Sequence, residues 1–251
     1  MLCNFLGNRN IKGCLLQSLF HMPIEKIHQM GRELSSNLQL TYMPVAVTLL
    51  TDNQRPPEGI SRIGHNMSHC QMVDKARRDG SQFYSLIDDQ QCKNGAAVMG
   101  MGHMPPEFAS GKEHYDEGHY RTIELARDTI QQCPRLEANS TEAILYAPLS
   151  EANFIPDVVI ILDIPEKAMQ VSQSLLYNVG GSIDANFAGI LSLCADGVVK
   201  PYKSGNISIS LGCVGSRNCG NIAKDEMIIG IPMEKLQYIV DGARRMFSYS
   251  S

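Results

Sequence analysis

A buried strand that leads directly into a helix constrains this chain more than any other feature. The stretch "PDVVIILDIP" at 156–165 is a continuous apolar run of strand length, and "EKAMQVSQSLLYNVGG" at 166–181 is a helix pattern that stops at two glycines. A strand that is apolar on both faces belongs in a sheet covered on both sides, and the helix after it supplies one cover. The sequence therefore predicts an α/β (mixed α+β) fold, a single domain with a mixed sheet covered by helices.

Strand and helix patterns alternate along the rest of the chain. Pro23 begins an amphipathic helix with apolar residues at helical spacing up to Leu38. A second helix is predicted to start near Ser68 and to stop at Gly80, and a third to begin just after Cys92. Further strands are predicted at 42–50, 143–149, 206–215 and 226–232, and further helices at 120–133, 184–197 and 233–247.

Two segments carry no such pattern. Residues 103–117 are rich in His, Pro, Glu and Gly and are predicted to be loop. Residues 1–21 show no sustained periodicity, and we interpret them as an N-terminal extension or an alternative start. The predicted single mixed α/β domain then covers residues 22–251.

Composition and charge exclude several classes of function. The 251 residues are 43% hydrophobic and 19% charged, with a net charge of −4 at pH 7. Such a chain has no general attraction to nucleic acid or to anionic lipid. No apolar run reaches the roughly 18 to 20 residues of a membrane-spanning helix. The short apolar stretch formed by residues 15–20 lacks the cleavage site of a secretory signal peptide. We expect a cytoplasmic protein that binds neither nucleic acid nor a membrane; a homo-oligomer is compatible with this composition.

Eight cysteines in a chain without an export signal indicate metal binding or thiol chemistry, because a reducing cytosol keeps thiols free. A thiol at a helix start loses its proton more readily, since unpaired backbone N–H groups stabilise the anion. Cys70 and Cys92 lie at predicted helix starts. Cys194 precedes Cys213 by 19 residues with turn signals between them, so a chain reversal can bring these two thiols together.

The turn around Cys213 is well suited to negative charge. Gly212 and Gly215 flank this cysteine, and successive backbone N–H groups in such a turn can form a nest for an anion. Arg217 lies close enough in sequence to add a fixed cation. These surroundings suit a thiolate, a cluster sulfide or an anionic ligand, and we predict that Gly212, Gly215 and Arg217 contact a cofactor.

A structural role for some of the cysteines has to be weighed against ligation. No Cys-x-x-Cys pair occurs, so no pair is preformed as half of a tetrahedral site. Free cysteine is also among the most buried residue types, and Cys133, which precedes Pro134 at a helix end, is best interpreted as core.

Histidines are weaker candidates than the thiols. His65 and His69 have the i, i+4 spacing with which two histidines can face one metal, although histidines near a helix start more often serve as caps or surface residues. His103, His114 and His119 lie in the polar loop, where each could act as acid, base or ligand. No phosphate-loop, dinucleotide-binding or Gly-x-Ser-x-Gly signature is present.

Six stretches of the chain carry a family resemblance. They are "MPVAVTLL", "HCQMVDKARRDG", "CKNGAAVMGMG", "PDVVIILDIPEKAMQV", "LCADGVVKPYKSGNISISLGCVGSR" and "IGIPMEKLQYIV". Their order resembles an uncharacterised prokaryotic family, the domain of unknown function 169, which is common among anaerobic bacteria and archaea. The resemblance covers about residues 40–242, and its most specific part is the Gly-Cys-x-Gly-x-Arg turn at 212–217.

The resemblance implies that four of the eight cysteines, together with Arg217, occupy the family's characteristic positions. These four are Cys70, Cys92, Cys194 and Cys213. The other four, which do not match the family pattern, are Cys3, Cys14, Cys133 and Cys219. Ser216 stands where some relatives carry a second cysteine. Four thiolates are the usual complement of an iron–sulfur cluster or a structural zinc site, and the anaerobic relatives favour iron–sulfur.

We therefore expect an iron–sulfur protein in which these four cysteines hold one cluster, [4Fe–4S] in preference to zinc. Its role would be redox chemistry or electron transfer in anaerobic metabolism, with a redox partner protein or a small cofactor. One alternative is a non-redox accessory protein that binds a tetrapyrrole, a nucleotide or a partner protein and whose cysteines are structural or zinc-bound. Another is a thiol-dependent enzyme with Cys213 as nucleophile and Arg217 as anion anchor. No motif pairs a base with a thiol, so the sequence leaves open whether the chain is an enzyme.

Overall fold

One six-stranded sheet organises residues 22–248, the part of the chain that the computed structural model describes. The strands are β1 (Val45–Leu50), β2 (Phe83–Leu86), β3 (Ala143–Pro148), β4 (Val158–Asp163), β5 (Ser208–Ser210) and β6 (Met227–Pro232). Their order across the sheet is β2-β3-β1-β4-β6-β5. The proposed extension at 1–21, with Cys3 and Cys14, lies outside the described residues.

Every pairing between these strands is antiparallel. The mixed α+β class is confirmed, but the sheet is antiparallel where the sequence suggested a mixed one. The strand-helix unit that begins with β4 does not return to a parallel neighbour, because β1 and β6 take the two positions beside β4. A strand and the helix after it do not determine which strand pairs next.

Helical segments cover both faces of this sheet. They are α1 (Ile24–Leu38), α2 (His69–Asp79), a 3-10 turn (Ile87–Asp89), α3 (Lys93–Val98), α4 (Pro106–Ala109), α5 (Lys112–Asp116), α6 (Ile123–Gln132), α7 (Pro165–Val179), a π-helix (Ser192–Val199), α8 (Lys200–Ser204), α9 (Val214–Cys219) and α10 (Met233–Phe247). None of the helices within 22–248 has the length and apolar character needed to cross a membrane.

The two faces of the sheet bury two separate hydrophobic clusters. Alternate residues of a strand point to opposite faces, and in β1 Val47 belongs to one cluster while Ala46 belongs to the other. Helices α1, α7 and α10 pack together over the Ala46 face. Helices α2 and α3 and the π-helix cover the Val47 face. All the cysteines discussed below lie on this second side or in the segments that border it.

A buried ion network joins α2 to the segment before β6. The side chain of Arg77 is 1% exposed and donates to Asp74 at 2.8 Å and to Glu226 at 2.6 Å. Glu226 also accepts the backbone N–H of Ala223 at 2.8 Å. Because each carboxylate is paired, the buried charges are tolerated, and the network fixes α2 relative to the chain that follows α9.

Most element boundaries agree with the local signals. Helix α2 begins after Ser68, whose hydroxyl accepts the backbone N–H of Gln71, and ends at Gly80 in a left-handed conformation. Three segments differ from prediction. The predicted loop at 103–117 contains α4 and α5, and the predicted helix at 184–197 is regular only from Ser192, as a π-helix. The predicted strand at 206–215 shortens to β5 because a helix begins just after Cys213.

Candidate metal centre

Four cysteines from four separate segments lie at the beginnings of four helical segments. Cys92 is the residue just before α3, and Cys213 is the residue just before α9. Cys70 is the second residue of α2, and Cys194 is the third residue of the π-helix. We call Cys70, Cys92, Cys194 and Cys213 the cysteine quartet. The positive ends of four helical segments therefore surround these thiols.

The quartet is brought together in space, as its electrostatics show. Burial raises the pKa of Cys70 and Cys194 well above the usual thiol value, and burial also raises the pKa of Cys92. Charge repulsion within the quartet adds to these pKa shifts, and every pair among the four cysteines contributes. Thiolates in such a site need a cation, because four negative charges otherwise repel each other in a partly dry environment.

Backbone groups already bond to three of the four sulfurs. The Sγ of Cys92 accepts the backbone N–H of Gly95 at 3.3 Å, and that of Cys213 accepts the backbone N–H of Ser216 at 3.4 Å. The Sγ of Cys194 donates to the carbonyl of Leu191 at 3.2 Å. A donor N–H stabilises a thiolate, and the N–H of Gly95 therefore offsets part of the rise that burial causes in the pKa of Cys92.

The Cys213 sulfur is held by a reciprocal capping arrangement. The Ser216 hydroxyl accepts the backbone N–H of Cys213 at 2.9 Å and donates to its carbonyl at the same distance. Ser216 is fully buried. The segment that the sequence suggested to be an anion nest is thus the first turn of a short helix, and its backbone N–H groups point at the sulfur for that reason.

A glycine separates two of the sulfurs. A Cβ added to Gly95 would lie 3.4 Å from the Sγ of Cys92 and 3.5 Å from that of Cys194. The two sulfurs are therefore less than about 7 Å apart, and Gly95 lies against both of them. The small-residue segment that follows Cys92 serves this contact and the core: Gly95, Ala96 and Val98 are buried.

The spacing of the quartet is wider than that of a site for a single ion. Every set of three of these sulfurs contains at least one pair more than 4.8 Å apart. A tetrahedral zinc ion with four thiolates places its sulfurs about 3.8 Å apart. The cysteine ligands of a [4Fe–4S] cluster lie farther from each other than this, because the cluster itself occupies the centre. As placed, these sulfurs do not form a closed site for a single ion.

The side chain of Arg217 bonds within its own segment. Its guanidinium donates to the carbonyls of Leu211, Ala223 and Glu226, so these N–H groups hold the chain between β5 and β6 in place. Gly212 has φ of +86°, and a Cβ there would lie 3.2 Å from the Arg217 Nε. Gly212 is thus required by the turn and by the packing of Arg217. That Arg217 also acts on a cofactor stays a prediction.

Gly215 has a different environment from Gly212. A Cβ added to Gly215 would meet no atom within 4 Å, so the described chain leaves open space at this position. Contact between Gly215 and a cofactor remains a prediction.

The remaining described cysteines differ from the quartet. All six cysteines between 22 and 248 are free thiols. Cys133 is 6% exposed, belongs to the hydrophobic cluster, and burial raises its pKa to about 11. Cys219, the last residue of α9, is exposed, and its charge adds the smallest of the contributions that raise the pKa of Cys70. Cys219 therefore lies beside the quartet but is exposed to solvent.

His65 and His69 do not face one metal. His65 is exposed and precedes α2, whereas His69 is 2% exposed and its Nδ1 lies 2.9 Å from the hydroxyl of Tyr146. Burial lowers the pKa of His69 to about 3, so its ring is neutral. The structure thus favours separate roles for the two histidines, because the helix begins only at His69 and the two side chains lie in different environments.

Sequence reasoning missed several residues of this site. Gly95 and Ser216 each follow a quartet cysteine by three residues. A residue that caps the start of a helix accepts the backbone N–H of the residue three positions later, so this is the spacing of a helix cap. This three-residue spacing is visible in the sequence and could have identified both residues. Glu117, which lies with His114 and His119 in a separate cluster, was missed because His-x-x-Glu-x-His is not a standard ligand pattern.

The fold and the site together define a mixed α+β protein with four convergent thiols at helix starts. A family model, the domain of unknown function 169 described as "Uncharacterised ArCR", matches residues 33–242, and the chain belongs to this family. The chain is similar to the "Uncharacterized protein MJ0308" of Methanocaldococcus jannaschii, with 35% identity over 221 residues that make up 88% of this chain and 94% of the relative. No solved structure matches the chain.

Proposed function

We propose that this protein binds one iron–sulfur cluster, [4Fe–4S], through Cys70, Cys92, Cys194 and Cys213, and that it transfers electrons. The observation that carries the proposal is the convergence of four free thiols from four distant segments, spaced more widely than a single ion requires. Thiolates that converge without a bound cation would repel each other at a cost, so such an arrangement favours a bound cationic group.

The arrangement of donors around the quartet supports a negatively charged cluster. A [4Fe–4S] cluster with four thiolates carries a net negative charge, and hydrogen bonds to the sulfurs and the degree of burial set its reduction potential. The N–H groups of Gly95 and Ser216 supply two such hydrogen bonds. The starts of α2, α3, α9 and the π-helix add favourable partial charges.

The uneven exposure of the quartet supports electron exchange with a second molecule. Cys194 is 5% exposed and anchors the site in the core, whereas Cys92 is exposed at the other side. A cluster held between them would be insulated by the hydrophobic cluster on one side and approachable near Cys92. We infer that a redox partner protein or a small redox cofactor approaches from the Cys92 side.

The test is anaerobic isolation followed by metal analysis. We expect about four iron and four sulfide per chain, a broad absorbance near 400 nm that bleaches on reduction, and the corresponding electron paramagnetic resonance signal. Iron and sulfide near zero, together with about one tightly bound zinc, would contradict the proposal and favour the accessory protein with a structural metal. Rapid alkylation of Cys213 in the freshly isolated protein would favour the thiol enzyme instead.

Cysteine variants assign the ligands. We expect Cys92→Ser and Cys213→Ser to lose most of the iron, whereas Cys133→Ser and Cys219→Ser, outside the quartet, should retain it. Far-ultraviolet circular dichroism on each variant separates loss of metal from loss of fold. Equal iron content in the quartet and control variants would overturn the ligand assignment.

A further inference from the structure

We propose a second metal site, independent of the cysteine quartet, in which His114, Glu117 and His119 bind one divalent transition-metal ion of the zinc class. These residues lie at the end of α5 and in the turn that follows it. The Nδ1 atoms of both histidines and a carboxylate oxygen of Glu117 face one point in space. Two histidines and one carboxylate are a donor set that zinc, iron and cobalt accept.

The distances between the three donor atoms match those around a single ion. The Oε2 of Glu117 lies 3.1 Å from the His114 Nδ1 and 3.2 Å from the His119 Nδ1. The two Nδ1 atoms are 3.4 Å apart. Ligands about 2.0 Å from a tetrahedral ion lie about 3.3 Å from each other, so an ion fits among these atoms with little rearrangement.

Hydrogen bonds alone do not account for the geometry as well as an ion does. If each Nδ1 carries a proton for Glu117, the two N–H groups converge on one carboxylate oxygen with their nitrogens only 3.4 Å apart, so the two N–H dipoles repel each other. If one Nδ1 gives up its proton, Glu117 keeps only one of its two donors. A metal ion accepts a lone pair from all three atoms at once and removes this conflict.

The chain holds these side chains in place before any ion binds. The His114 ring packs edge-on against Phe108 with centroids 5.1 Å apart, and Phe108 is 1% exposed. Gly118 has φ of +75°, which lets the chain turn back so that the backbone N–H of His119 donates to the carbonyl of His114 at 3.0 Å. Such preorganisation lowers the entropic cost of binding.

The site is open to solvent and is connected to α3, the helix that begins just after Cys92 of the quartet. Glu117 and His119 have side chains 50% and 36% exposed, so three protein ligands would leave at least one coordination position for water or a substrate. The neighbouring Glu113 accepts the side-chain N–H of Asn94 at 2.9 Å, which joins α5 to α3 just after Cys92. The ion would therefore also stabilise the segment that borders the quartet.

The experiment uses Co²⁺ titrated into the full-length protein under anaerobic conditions. Cobalt bound to nitrogen and oxygen gives visible ligand-field bands, whereas cobalt bound by the quartet adds intense sulfur-to-cobalt charge transfer in the near ultraviolet. We expect one equivalent of cobalt with the first signature, whether or not further cobalt binds at the quartet. In His119→Ala and Glu117→Gln that binding should weaken by more than about tenfold, because even the loss of a residue that only supports a ligand costs about 10- to 100-fold.

Two control variants isolate the site. His103→Ala removes an exposed histidine of the same region that bonds to Asn139, and we expect it to bind cobalt as the wild type does. Cys92→Ser should reduce the charge-transfer signal and leave the visible bands. The inference is overturned if His119→Ala and Glu117→Gln, shown to be folded by circular dichroism, keep the nitrogen- and oxygen-ligated cobalt, or if the wild type shows only thiolate-bound cobalt. Because the two spectra differ, the result does not depend on the proposed cluster.

Discussion

Cys70 and Gly220 are in direct contact, although 150 positions separate them in the chain. A Cβ added to Gly220 would lie 2.4 Å from the Cβ of Cys70 and 2.6 Å from the carbonyl oxygen of Ser216. Only a residue without a side chain allows the end of α9 to approach the start of α2 this closely. This contact sets where Cys213, at the other end of α9, stands relative to Cys70.

Substitution of Gly220 should disturb both stability and the quartet. We expect Gly220→Ala to lower the free energy of unfolding by about 1–3 kcal/mol, because the new methyl group has to displace backbone or the start of α2. It should also lower the iron content of anaerobically isolated protein. Urea unfolding and iron analysis measure the two effects.

Gly215→Ala is the matched control for stability, since a Cβ there meets no described atom within 4 Å. Alanine in a helix is favoured over glycine by up to about 1 kcal/mol, so the metal-free control should be as stable as the wild type or slightly more stable. A loss in Gly215→Ala as large as in Gly220→Ala would argue against the close contact as the cause.

The buried ion network should be essential for stability. Arg77→Met leaves Glu226 buried without its guanidinium partner, and we expect a loss of about 3–5 kcal/mol in the free energy of unfolding. Lys75→Met in the same helix breaks a solvent-exposed pair with Asp79 and should cost less than about 1 kcal/mol. Urea unfolding at constant pH compares the free energies of unfolding of the two variants. Similar losses in both would mean that the buried ion network is not the cause of the destabilisation.

Loss of the Ser216 hydroxyl should weaken α9 and expose Cys213. We expect Ser216→Ala to cost about 1 kcal/mol, the usual value of a helix cap, because the backbone N–H of Cys213 loses its acceptor. In metal-free protein Cys213 should then react faster with iodoacetamide, as peptide mass mapping would show. The exposed Asn218→Ala in the same helix should leave both quantities nearly unchanged.

The stability of the metal-free protein should depend on pH through Asp157. Burial raises the pKa of Asp157 to about 6, despite the hydrogen bond that its carboxylate accepts from the Leu49 N–H, against about 3.9 in an unfolded chain. The folded state therefore binds this proton more tightly. Its stabilisation is fully present below about pH 4 and is lost as the pH rises through about 6.

In Asp157→Asn this pH dependence should disappear. The amide oxygen still accepts the Leu49 N–H, and no charge is buried at pH 7, so we expect the variant to be more stable than the wild type there by about 2 kcal/mol. The difference should shrink towards pH 4 in urea titrations. The exposed Asp52→Asn serves as control, with an expected change below about 0.5 kcal/mol. A difference for Asp157→Asn that is constant with pH would refute the assignment.

Local signals in the sequence predicted the boundaries of several elements. Pro23, Ser68 and Gly80 mark helix ends because each acts through its own backbone or through atoms within a few residues. The helix after Cys92 and the strand at β4 were also found, since apolar spacing and small residues are local properties. The short helix α9 was missed because its glycines and serine also suit a turn.

The chain by itself determined the mixed α+β class and the helix starts at Cys70 and Cys92; the choice of four thiols as ligands stays a prediction. Only the tertiary structure decided that all six strands pair antiparallel, that Gly220 lets the end of α9 approach Cys70, and that Glu117 joins two histidines. The physical reason is range: capping and periodicity act over a few residues. Strand pairing and the meeting of side chains from positions 70, 92, 194 and 213 depend instead on how distant surfaces pack.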